Sequence, residues 1–284
     1  MKLIIGKTIA QQINTATDKT VATLTRAGVA PSLAIVVPTE SEATQWYVRS
    51  LKRSADKRGI LCTVKEIFGA TVDQITDTLK LLSTDQSVHG IICQTPLPDR
   101  VSLSEIGSSI APEKDVDGAN PLSMGRLFSG LQAFAPATAR AVVETLVHEK
   151  VPLSGANIVM IGRSLTVGKP AASLLTEKNA TVTICHSRTR NLPEICRKAD
   201  ILVAAVGKPN FVDADYVGAN AVIIDVGTNP TSDGGLVGDV NRGAVEQLVS
   251  AITPVPGGVG MVTTAVLLSQ VASAAMKLSD VAVD

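Results

Sequence analysis

The stretch Asn157–Leu175, NIVMIGRSLTVGKPAASLL, decides the fold. It opens as a near-continuous apolar run, breaks at Gly162, and resumes after Gly168 as helical sequence. Such runs suit parallel strands covered on both faces, whereas half-exposed strands alternate. Glycine at 162 and 168 frees the backbone after the strand, and the helix that follows begins with unpaired N–H groups. That is an anion site of the dinucleotide-binding kind. Ser164 stands where the usual second glycine belongs, so a plain strand–turn–helix fits the motif too.

Working outward, the same pattern repeats. Leu33–Val37, Cys62–Ile67, Gly90–Cys93, Thr181–Cys185, Ile201–Val206 and Ala221–Val226 read as strands, with amphipathic helical segments between them. Gly28 and Gly59 end the first two helices. Alternating strands and helices make βαβ units, and the expected class is α/β. One block covers about residues 1–110, a second about 155–262, and Thr263–Leu278 reads as a final helix. The expected division is a substrate domain of 1–138 plus 263–284 and a Rossmann-type domain with a parallel sheet over 139–262.

The 284 residues carry equal numbers of acidic and basic side chains and no long basic block, which argues against nucleic acid as a partner. Cys62, Cys93, Cys185 and Cys196 form no Cys-x-x-Cys pair and read as reduced thiols. With no signal-like N-terminus, and no apolar run approaching the ~20 residues of a membrane span, a cytoplasmic protein without membrane contact is expected.

The strand Thr181–Cys185 begins about 20 residues after the glycine turn, where NAD-binding proteins place an acid for the ribose 2′-OH. Here it ends in His186, Ser187, Arg188 and Thr189. Arg163, Arg188 and Ser187 suit a 2′-phosphate, so NADP is expected over NAD. Arg188 pointing to solvent fits equally. His186 reads as a polar loop residue rather than a metal ligand, and no metal is expected. Gly207, Gly227 and Thr228 follow later strands and are placed to approach the nicotinamide half, though turn roles suit the glycines as well. Gln94, at a strand end beside prolines, suits the amide edge of a substrate. Asp115 reads as a local backbone acceptor.

The segments ATQWYV (43–48), QTPLP (94–98), KDVDG (114–118), IGRSLTVGKP (161–170) and TPVPGGVG (253–260) together resemble the bifunctional methylenetetrahydrofolate dehydrogenase/cyclohydrolase family. CHSRT (185–189) and DVGTN (225–229) are similar to its segments too. The resemblance runs in order over nearly the whole chain. It implies a homodimer in one-carbon metabolism with a folate cleft between the domains. It implies oxidation of 5,10-methylene-tetrahydrofolate to the methenyl form, then hydrolysis to 10-formyl-tetrahydrofolate. It implies Tyr47, Gln94 and Asp117 at the folate and catalytic site, and Pro256, Gly257 and Gly258 lining the cleft. Gly162, Arg163, Ser164, Gly168, Ser187 and Thr228 would hold the cofactor.

One departure bears on the chemistry. The family's catalytic helix reads Tyr-Val-x-x-Lys-x-Lys, and this chain has Leu51 at the first lysine and Arg53 at the second. At about 100° per residue, position 51 lies roughly 40° around the helix from Tyr47, and Lys52 roughly 140°. Hydride loss needs alignment and charge stabilisation. Hydrolysis needs a group that moves protons, which leucine is not. The expectation is an NADP-dependent dehydrogenase with weak or absent cyclohydrolase activity, working beside a separate cyclohydrolase. The alternative is an ordinary bifunctional enzyme in which Lys52 or Arg53 serves. A non-catalytic ligand sensor and an unrelated two-domain oxidoreductase are the remaining readings. Met261, Ala139, and Ala119 with Asn120, also replace usual family residues near the pocket.

Overall fold

The computed structural model describes residues 1–281 and divides them into two compact units. One unit comprises residues 1–11 and 138–263, the other 12–137 and the chain from 264 onward. Residues 282–284 of the expected substrate domain lie outside the described residues.

The first unit is built on six parallel strands in the order Lys2–Leu3, Ala251–Ile252, Val222–Asp225, Ile201–Ala204, Asn157–Ile161 and Thr181–Cys185. The chain therefore steps outward from Asn157–Ile161 to the edge strand, then returns to Ile201–Ala204 on the other side. Between those two strands lies the switch point at which open α/β sheets bind ligands. All four residues of Ile201–Ala204 are buried, as their unbroken apolar run requires. Val159, Ile161, Leu202, Ala204 and Ile223 pack into one core cluster. A short antiparallel pair, Asn229–Pro230 with Leu236–Val237, projects after the Val222–Asp225 strand.

Residues 1–11, given to the substrate domain in the expected division, group by their contacts with the first unit. Lys2 and Leu3 pair with Ala251 and Ile252, and Lys2 forms an ion pair with Glu149. Two-residue strands carry no periodicity, so the sequence could not show this pairing.

The second unit holds three parallel strands in the order Leu61–Glu66, Ser32–Val37 and Gly90–Cys93. The middle strand is buried along all six residues. Ala34, Val36, Ile75, Leu79, Ile91 and Ile106 form its core on one side, each large aliphatic contributing about 1.5–3 kcal/mol by leaving water. Ser41 caps helix Glu42–Asp56, and Thr71 with Gln74 forms a reciprocal capping box on Val72–Thr84. Gly28 and Gly59 both adopt positive φ after their helices, as the chain reversals there demand.

The last helix runs over Val259–Leu278, four residues earlier than the sequence indicated. Contrary to the expectation of no such run, it is long and apolar enough to cross a membrane by length and composition alone. Its scattered Ser, Thr and Gln residues interrupt the apolar string without lowering the mean hydropathy much. Most of it is buried: Leu268, Val271, Ala274 and Ala275 are covered by protein, as in a core helix.

Candidate active site

In the second unit, the polar candidates gather at the carboxyl ends of the three strands. The Gln94 backbone N–H donates to the Val36 carbonyl at 2.9 Å, which carries the ladder one residue past the strand. The side chain of Gln94 is half-buried there. The Thr44 hydroxyl, on the Tyr47 helix, donates to the Thr95 carbonyl at 3.3 Å and ties that helix to the Gln94 turn. A parallel bridge between Ile91 and Asp115 aligns the KDVDG segment with the strand. Asp117 follows two residues later, in the turn that leaves this bridge.

The two aspartates of that segment have different work. Asp115 is fully buried and accepts from the Ala119 and Asn120 N–H groups at 2.8 and 2.9 Å, the local backbone role expected of it. Asn120 caps helix Pro121–Phe128 through Leu122 N–H and donates to the Ile110 carbonyl. This residue, which departs from the family pattern, is therefore structural. Asp117 accepts from Ala137 N–H at 2.8 Å and keeps part of its surface open. Burial pushes its carboxyl up to about 7 against that hydrogen bond. Burial, and then the Asp117 charge, raises the Tyr47 phenol well above its ordinary value. Tyr47 is thus a neutral donor at all working pH values.

Leu51 is 1% exposed and lies with the buried Val48 and Ala55 on one side of the helix. Lys52 reaches the other way: its ammonium donates to the Cys62 carbonyl at 3.2 Å and lies 3.9 Å from Asp56. Arg53 donates to the Arg49 carbonyl and is exposed. Trp46, beside Tyr47, is exposed as well.

In the first unit, the glycines are fixed by close packing at the switch point. A Cβ on Gly162, whose φ is +131°, would collide with the Ala205 carbonyl from the neighbouring loop. A Cβ on Gly168 would collide with the Gly162 carbonyl. Ser164 fills the place of the missing glycine with a hydroxyl that accepts from Val167 and Gly168 N–H at 3.1 and 3.4 Å. It closes the turn from within. Arg163, Ser187 and Arg188 are exposed at the ends of the adjoining strands. Neither guanidinium is paired with a carboxylate among the described residues. His186 Nδ1 accepts from Arg188 N–H at 3.2 Å, a turn role, and no metal-binding cluster occurs among the described residues. The close-packed glycines and free basic side chains fit a phosphorylated dinucleotide.

Two further acids organise the later loops, and the sequence reading passed over both. Asp239 is fully buried and accepts from three successive N–H groups, Val206, Gly207 and Lys208, at 2.6, 2.9 and 2.9 Å. Its other partner is the Asn229 amide at 2.9 Å. Such a run of N–H groups is an anion nest, here filled by a carboxylate of the same chain. Asp225 accepts from Gly227, Asp239 and Val240 N–H, each at 3.0 Å. Gly227 abuts Asp239, and Gly238 abuts Asp225, so neither glycine has room for a Cβ. Gly207 has open space around it at φ +65° and Thr228 is exposed, which leaves both accessible to a ligand. An acid ending the buried run AVIID was the available signal.

Pro256, Gly257 and Gly258 belong to this unit. Gly257 has φ +103° and its carbonyl accepts from Gly6 N–H at 2.8 Å. Ala139 is fully buried and Met261 is exposed.

Comparison with known proteins agrees with this arrangement. Residues 4–117 match the tetrahydrofolate dehydrogenase/cyclohydrolase catalytic domain, and residues 136–279 match the NAD(P)-binding domain of the same family. The chain is 52% identical over 277 residues to the bifunctional protein FolD 1 of Saccharopolyspora erythraea, covering 97% of this chain and 94% of that one. The FolD methylenetetrahydrofolate dehydrogenase/cyclohydrolase structure from Campylobacter jejuni superposes with a TM-score of 0.94 at 35% identity, covering 98% and 99% of the chains. The Trypanosoma brucei FolD structure, complexed with NADP cofactor and inhibitor, gives 0.92 at 33% identity over 99% and 98%. With both of its domains matched in order, this chain is a member of the tetrahydrofolate dehydrogenase/cyclohydrolase family.

Proposed function

We propose that the protein oxidises 5,10-methylene-tetrahydrofolate to the 5,10-methenyl form with NADP, and that it hydrolyses the product slowly or not at all. Bound NADP supplies the hydride acceptor. The residues of the chain do the rest by binding and orientation. Asp117 accepts N–H groups of the pterin edge, Gln94 donates and accepts beside it, and the neutral Tyr47 presents its ring and hydroxyl to the ligand. Pro256, Gly257 and Gly258 approach the ligand through backbone. Gly162, Ser164 and Gly168 shape the dinucleotide turn, while Arg163, Ser187 and Arg188 favour the 2′-phosphate of NADP.

The observation that carries the restricted activity is the burial of Leu51 beside Tyr47, together with the attachment of Lys52 to the Cys62 carbonyl. Lys52 and Arg53, the bases that could stand in for a lysine at position 51, both donate to backbone carbonyls instead. The second reading is the ordinary bifunctional enzyme, and the names of relatives near 50% identity favour it. Both steps should be assayed on the purified protein. NADP-dependent oxidation with methenyl hydrolysis at the spontaneous rate supports the restricted reading. Hydrolysis well above that rate establishes the bifunctional one. We also propose a homodimer, for which the edge strand Thr181–Cys185, with Ile184 exposed, offers an unpaired flank. Sedimentation at the monomer mass would overturn it.

A further inference from the structure

Gln270 is a polar side chain on the apolar last helix, and its amide nitrogen makes two long-range bonds. It donates to the Val116 carbonyl at 2.7 Å and to the Ala135 carbonyl at 3.0 Å. Val116 immediately precedes Asp117. Ala135 lies two residues before Ala137, whose N–H holds the Asp117 carboxylate. One amide group therefore ties together the segment that carries the aspartate and the segment that supplies its hydrogen-bond donor.

The surroundings show how tightly this clasp is built. Gly118, at φ +62°, packs so closely on Pro136 that a Cβ would stand 2.6 Å from its ring. Val271, next to Gln270, packs with Val116 around Gly90, where a Cβ would stand 3.0–3.1 Å from both valines. Residues 116–118 and 135–137 thus run side by side with no room for an intervening side chain. Buried carbonyls need a donor. Gln270 supplies it for both.

We propose that Gln270 is a positioning residue for substrate binding, acting through Asp117. Deleting its donors lets the two segments separate and the Asp117 carboxylate drift from the pterin edge. This rests on reading Asp117 as the pterin anchor.

The test uses the full chain with Gln270→Met, which keeps length and volume but removes the donors, and Gln270→Asn, which keeps a donor on a shorter arm. Gln270→Met should raise the KM for methylene-tetrahydrofolate on the order of tenfold, since small misplacements at a site cost at least that much. The KM for NADP should not move. Gln270→Asn should recover part of the loss. In an Asp117→Asn background, Gln270→Met should add nothing further, because the residue it acts through is already gone. The Ala137 amide should exchange its hydrogen about tenfold faster in Gln270→Met, reporting the clasp without any ligand. Unchanged folate KM in Gln270→Met, or an equal increase in both backgrounds, would overturn the proposal. If Asp117→Asn leaves folate KM unaltered, the anchor reading fails instead. Ala137 exchange then decides the clasp by itself, and unaltered protection in Gln270→Met refutes it.

Discussion

The Asp117 carboxylate lies close enough to Tyr47 for its charge to add to burial in keeping the phenol protonated. The aspartate itself titrates at about 7 because burial disfavours its charge. These two facts set opposite pH trends for stability and binding. The folded chain holds a proton on Asp117 that the unfolded chain has released above about 4. Stability from this group therefore falls as pH rises from about 4 to 7, and levels off above. A pterin edge rich in N–H donors prefers the ionised form. The KM for the folate substrate should therefore drop as pH rises toward 7, by up to about tenfold per unit, and flatten above. Initial rates between pH 5.5 and 8.5 check this. A flat profile would show that Asp117 does not contact the ligand.

Asp117→Asn should then weaken substrate binding while making the protein more resistant to heat at pH 8. The asparagine oxygen still accepts from Ala137, and the buried charge is gone. A gain near 1 kcal/mol corresponds to a rise of roughly 2–4 °C for a unit of this size. At pH 4 the two proteins should melt together. Differential scanning calorimetry at both pH values decides it.

The proposed restriction to the first reaction rests on Leu51, and restoring a lysine there tests it. Leu51→Lys should raise methenyl hydrolysis above the spontaneous rate and lower the melting temperature, because the new ammonium starts among core residues. Leu51→Ala should leave hydrolysis unchanged and cost about 2–5 kcal/mol of stability through the cavity it opens. Lys52→Ala should alter neither reaction. Loss of hydrolysis in Lys52→Ala would show that Lys52 leaves its Cys62 contact to take part in catalysis.

Cofactor choice should follow the exposed basic pair. Arg188→Ala, and more so Arg163→Ala with Arg188→Ala, should raise the KM for NADP at least about tenfold, the loss expected when a charge-assisted contact goes. The KM for NAD should hardly change. Equal losses with both cofactors would remove these residues from 2′-phosphate recognition.

Asp239→Ala should unfold the first unit more readily. It strands the Val206, Gly207 and Lys208 N–H groups and the Asn229 amide, at about 1–3 kcal/mol for each donor left buried without a partner. Thermal melting reports the loss. Asp239→Asn, which cannot accept from all four donors, should fall between wild type and alanine.

Much of the fold was legible because parallel strands in a covered sheet must be apolar along their length. Asn157–Ile161 and Gly90–Cys93 stand where that rule puts them, while Thr181–Cys185 is a largely exposed edge strand legible from its β-branched residues instead. Lys2–Leu3 and Ala251–Ile252 did not reveal themselves, since a pair of residues has no period and their partners are nearly 250 positions apart. Among site residues, Asp115 was assigned correctly from turn chemistry. Asp225, Asp239 and Gln270 escaped because their importance lies in which backbone groups they meet, and all of those but the Gly227 N–H lie 14 to 154 residues away. The placement of Lys52 was half visible: helix geometry turned it from Tyr47, but only the fold supplied the Cys62 carbonyl that receives it.

The nest around Asp239 has a consequence for protein engineering. Residues 206–208, 225–229 and 237–240 are bonded as a single piece through two carboxylates, each sealed by a glycine from the other's strand end. A library that randomises one of these loops alone would mostly sample broken networks. Transplanting the loops between relatives to change nicotinamide specificity should succeed only when all three segments travel together.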